Sequence, residues 1–151
     1  MDGGIYLAYP IDQRGPETSA RLFEAIEQLK TDAITNRVAK WVFDPGEGFR
    51  VNPHAEPDDT LARINRVAAE SAAAVVAFLP AGVASIGVPV EIDRAVSDGK
   101  HVVVFSDIRA SWVLTYPPST VTRYHSWDAD AVADAVAWLD RQGTGLEAPG
   151  A

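Results

Sequence analysis

The stretch A-F-L-P-A-G-V-A-S-I-G-V-P-V-E-I-D-R-A-V-S-D-G-K-H-V-V-V, residues 77–104, holds the end of an apolar strand, a Gly/Pro/Ser loop, a helix, a Gly99-Lys100 stop and a second apolar strand. Strand, small-residue loop and helix in that order make a site for an anionic ligand. The loop lets the backbone approach closely, and the helix start offers unpaired N–H groups at a positive dipole end. Glu91 falls in the expected first turn of this helix, residues 88–98. There the dipole is expected to hold its carboxylate ionised at neutral pH, where it is a competent nucleophile. The same spacing suits a capping role, with Pro89 at the first helical position and Glu91 third after the cap.

Outward from this unit the chain repeats the same order. Residues 73–79 form a continuous apolar run, as for a central parallel strand buried on both faces, and residues 101–106 form the next. Residues 4–10 (G-I-Y-L-A-Y-P) read as a short buried strand opening into a polar loop, 11–16. Residues 39–44 alternate as a second strand, broken by Pro45-Gly46, and residues 120–127 read as a last short one. Helical spacing puts Leu22, Phe23, Ile26 and Leu29 on one face of 17–30. It puts Leu61, Ile64, Val67 and Ala68 on one face of 58–72, capped by Asp58 or Asp59. In 128–141 it puts Val132, Ala135, Val136 and Leu139 inward. The alternation predicts a single-domain, three-layer, Rossmann-like (flavodoxin-like) parallel sheet over residues 1–142, with helices on both faces and right-handed crossovers. Residues 143–151, rich in Gly and Pro, are expected to fray. Residues 46–57 read as a long loop placed to fold over a site.

The chain has 151 residues, no cysteine and a formal charge of −8. Disulfides and thiolate metal sites are thereby excluded, and His54 has no second His or Cys at ligand spacing, so neither metal nor cofactor is expected. The negative charge argues against a nucleic-acid polymer or an anionic membrane as partner. With no apolar run of membrane length and no export-type N-terminus, a cytoplasmic protein acting on a small molecule is expected.

The pattern S-x-G-x-x-x-E-x-x-x-A-x-x-x-G-K, formed by Ser85, Gly87, Glu91, Ala95, Gly99 and Lys100, resembles the signature of the nucleoside 2-deoxyribosyltransferase superfamily. The resemblance covers most of the chain, and its specific part lies between Ser85 and Lys100. It implies that Glu91 attacks the anomeric carbon of a sugar and that the base departs. It implies that Tyr6, in the first strand, orients Glu91 or touches the sugar; as a core strand tyrosine it needs no such role. It also implies that Pro10, Asp12 and Arg14 line a loop contacting sugar or phosphate, and that Thr115 reaches a neighbouring subunit's phosphate.

Two substitutions within the resemblance bear on substrate. Where relatives carry an aspartate in the preceding helix, this chain has Asn65, whose amide can hold a sugar hydroxyl but cannot shuttle a proton. As a surface helix residue Asn65 would carry no role. Serine at 85, six residues before the nucleophile, resembles the nucleoside 5'-monophosphate N-glycosidases, where transferases acting on free nucleosides carry aspartate. A hydroxyl beside a helix start can bind a phosphate that a second carboxylate would repel. The expected activity is N-glycosidic cleavage of a nucleoside monophosphate. The alternatives are base exchange on free deoxynucleosides and a non-catalytic nucleotide-binding module. The loop lacks the glycine pair and threonine of the cytokinin-type phosphoribohydrolases. A homodimer or higher homo-oligomer is implied, with Trp112, Tyr116 and Trp127 as exposed aromatic contacts.

Overall fold

The computed structural model of the chain describes residues 3–10, 16–47, 59–83, 87–107 and 111–143. Its strands are β1 (Gly4–Ala8), β2 (Trp41–Phe43), β3 (Ala74–Leu79), β4 (His101–Ser106) and β5 (Val121–Tyr124). Its helices are α1 (Pro16–Thr35), α2 (Asp59–Ser71), α3 (Gly87–Ser97) and α4 (Ala129–Arg141), and a 3-10 turn spans Ser111–Thr115. Every strand pair is parallel, in the order β2-β1-β3-β4-β5. This is the flavodoxin-like order expected from the sequence, with its switch point between β1 and β3.

Alternation along the strands builds two cores. Ile5, Leu7, Val76, Phe78, Val103 and Phe105 point to one face, where they meet Leu22, Ile26 and Leu29 of α1 and Val132, Val136 and Leu139 of α4. Tyr6, Ala8, Val75, Ala77, Val102 and Val104 point to the other, against Val88, Ile92 and Ala95 of α3 and Ala68 and Ala69 of α2. The inward faces expected for α1 and α4 are therefore found, with Phe23 packed at the margin.

Two expectations fail, one on each face. Ile64 and Val67 are 49 % and 56 % exposed, so α2 does not turn its large apolar residues inward. Its inner side consists instead of alanines, too small to fill the space over the sheet. Trp127 is only 4 % exposed and packs edge-on against Phe78, so it is core and not a surface aromatic. Leu61's side chain lies outside the described ones, as do Asp58, residues 48–58 with His54, and residues 144–151.

The elements beside the switch point are closed by specific contacts. Gly4 pairs with Trp41, and a Cβ on Gly4 would sit 2.0 Å from the indole, so only glycine lets that ring lie across β1. The Gly99-Lys100 stop is a Schellman cap: Lys100 N–H reaches Ala95 O at 2.9 Å and Gly99 N–H reaches Val96 O at 3.0 Å, with Gly99 at φ 77°. The Lys100 side chain then turns back to α2, donating to the carbonyls of Ala69 and Glu70. Those are last-turn carbonyls with no partner inside their own helix.

Candidate active site

Because α2 faces the sheet with alanines, a cavity of about 290 Å³ remains between α2 and α3, floored by Tyr6 and Val75. That volume is at the lower end of small-molecule sites. Glu91 and Asn65 stand on its two walls, so the three residues expected to be catalytic meet here from β1, α2 and α3. The Tyr6 hydroxyl donates to Glu91 Oε1 at 3.5 Å. This is long for an O–H···O bond, as is common in ligand-free sites that tighten on binding.

The ionisation expected for Glu91 is corrected by this geometry. The helix begins at Gly87, two residues before Pro89, so Glu91 lies beyond the first turn, where the dipole acts and a side chain caps N–H groups. Burial dominates instead and pushes the Glu91 carboxyl up to about 7, against the lowering effect of the Tyr6 hydrogen bond. Burial, and then the Glu91 charge and hydrogen bond, raise the Tyr6 hydroxyl well above its ordinary value. Tyr6 therefore remains a neutral donor across the physiological range.

Asn65 presents a buried Oδ1 with no hydrogen-bond partner among the described residues. A buried acceptor without a donor is costly, and a ligand hydroxyl in the cavity would satisfy it. Arg66 and Arg94 also line the cavity, together with Glu70, Asp98 and Lys100. Neither arginine stands out in the sequence, since each sits at an ordinary solvated helix position. Their spacing of one from Asn65 and three from Glu91 is the signal that would have found them.

Of the remaining expected residues, the described ones, Gly87, Pro10 and Thr115, do not line this cavity. Gly87 opens α3, and where a Cβ would be, nothing among the described residues lies within 4 Å. Pro10 is buried just past the end of β1, at the switch point. Thr115 donates its hydroxyl to Trp112 O at 2.7 Å within the 3-10 turn. Ser85, Asp12 and Arg14 lie outside the described residues. Among the described residues no cluster of His, Cys, Asp and Glu could hold a metal, and no helix is long and apolar enough to cross a membrane.

No protein-family model matches the chain, and no curated protein matches it in sequence. A solved structure does match: the 2-deoxyribosyltransferase of the psychrotolerant bacterium Bacillus psychrosaccharolyticus. The TM-score is 0.58 over 85 % of this chain and 95 % of that one, at 17 % identity. The two proteins share a fold. That enzyme is described as a biocatalyst for nucleoside synthesis. The shared architecture is the parallel sheet with helices on both faces.

Proposed function

We propose that the chain cleaves the N-glycosidic bond of a nucleoside 5'-monophosphate by double displacement at Glu91. The observation that carries this reading is the contact of Tyr6 with Glu91 in a cavity that also holds an unsatisfied Asn65 acceptor. Ionised Glu91 attacks C1' of the pentose. The C1'–N bond breaks, its electron pair leaves with the base, and a glycosyl ester forms on Glu91. Water then adds to C1', the C1'–Oε bond returns its electrons to Glu91, and the water proton passes to solvent. Tyr6 aims the carboxylate, and Asn65 accepts from a sugar hydroxyl. The 5'-phosphate is assigned to Ser85 and the start of α3 at Gly87, with Pro10, Asp12 and Arg14 as further contacts to sugar or phosphate.

Base exchange on free 2'-deoxynucleosides uses the same first half-reaction, and the activity of the structural neighbour favours it as the second reading. In that case a second base replaces water. The chain is further proposed to pair with another copy, because Ile64, Val67, Val90 and Leu114 expose large apolar side chains on the layer that holds the cavity.

The test is incubation with a panel of ribo- and deoxyribonucleotides and nucleosides, with and without acceptor bases, followed by mass spectrometry of the protein. We expect free base from a monophosphate and a mass increase of one pentose phosphate, both absent in Glu91→Ala. Product only when an acceptor base is present would give the transferase reading. Binding by calorimetry without any turnover would overturn both in favour of a non-catalytic module.

A further inference from the structure

Phe43 stands opposite Tyr6 in the β1–β2 register, and the two rings stack with centroids 5.7 Å apart and planes 10° from parallel. Phe43 is the last residue of a three-residue edge strand, which by itself would hold a ring loosely. Both ends of that strand are pinned. At its start Trp41 lies over Gly4. At its end the next residue, Asp44, is buried and accepts from Tyr9 Oη, from Gly46 N–H at 3.0 Å and from Lys30 Nζ at 3.0 Å. Tyr9 and Lys30 belong to the opposite face of the sheet, so the Phe43 backbone is tied to β1 and α1 at once. Its ring, packed against the second core, stacks on the tyrosine whose hydroxyl donates to Glu91.

We propose that Phe43 is a positioning residue for Glu91, acting through Tyr6: the stacked ring fixes the rotamer in which the Tyr6 hydroxyl donates to the carboxylate. Phe43 does not line the cavity and would not touch a substrate there. The inference rests on Glu91 as the reactive group, but its test reads a titration and needs no turnover.

The sign of the titration separates positioning from plain packing. The Tyr6 hydrogen bond lowers the Glu91 pKa, whereas burial, the larger cause, raises it. Releasing Tyr6 therefore moves Glu91 upward. Loosened packing that only admits water moves it downward. The charged groups lining the cavity with Glu91 are Arg66 and Glu70 on α2, Arg94 and Asp98 on α3, and Lys100 before β4. None is altered by a change at Phe43.

The experiment is a carbon-13 titration of glutamate carboxyls in the whole protein, with Glu91 assigned by the signal lost in Glu91→Gln. Tyr6→Phe is expected to raise the Glu91 midpoint by at least about 0.5 pH unit. Phe43→Leu is expected to raise it in the same direction by less, and Phe43→Tyr, which keeps the ring, to leave it at the wild-type value. Val42→Ala loosens the same strand on its other face and is expected to leave it unmoved. A midpoint that falls or stays in Phe43→Leu while rising in Tyr6→Phe overturns the proposal. So does an equal rise in Val42→Ala.

Discussion

At the scale of single residues, Glu91 is held in a state that costs stability. Its folded value of about 7 exceeds the ordinary 4.5, so between these values the folded chain keeps a proton that the unfolded chain releases. Below pH 4.5 the residue is neutral in both states and no penalty exists. As pH rises through about 7 the penalty becomes complete, at most about 3 kcal/mol for a shift of this size. Glu91→Gln should therefore match wild type in denaturant melts at pH 4 and exceed it at pH 8 by up to that amount. Equal stabilities at pH 8 would show that the carboxylate is not desolvated. If the proposed function holds, base release should rise with one ionisation near pH 7, because the amide of Asn65 contributes no titration of its own.

At the scale of elements, α2 and α3, which wall the cavity, are tied together at their C-terminal ends. Lys100 is the tie. Its own backbone N–H caps α3, and its ammonium donates to the last carbonyls of α2. Burial lowers its proton affinity, so the charge is retained at a cost. Lys100→Met keeps the aliphatic stem but leaves Ala69 O and Glu70 O without their donor. The expected loss is about 1.5 to 3 kcal/mol, the range for hydrogen bonds from charged groups, read as a lower melting temperature. A change under about 0.5 kcal/mol would mean that water caps α2 equally well.

At the scale of the whole molecule, apolar exposure is uneven. Of the five large hydrophobic residues exposed among those described, only Ile34 lies on the α1–α4 layer, and the other four lie on the layer with the cavity. Beside them Trp41, Phe43, Ile64 and Val67 line a shallow groove of about 470 Å³. A two-fold contact through this layer would cover both groove and cavity mouth. Sedimentation should accordingly give a two-chain species. Val67→Glu should give a single chain while changing the stability of the isolated fold by no more than about 0.5 kcal/mol. A wild-type monomer at micromolar concentration would remove this expectation.

The sequence by itself determined what local periodicity encodes. The parallel α/β order, the inward faces of α1 and α4 and the glycine stop after α3 each depend on residues within one or two turns of each other. It also marked Glu91, Tyr6 and Asn65, which the structure brings to one cavity. Tertiary structure alone decided that the Tyr6 hydroxyl meets a carboxylate 85 positions away, that Trp127 is core, and that α2 turns alanines inward and leaves Ile64 and Val67 outside. It alone decided the charge state of Glu91. A helix-terminus effect can be read from spacing, but desolvation is a sum over neighbours brought in by separate crossovers, and here that sum outweighs the Tyr6 hydrogen bond.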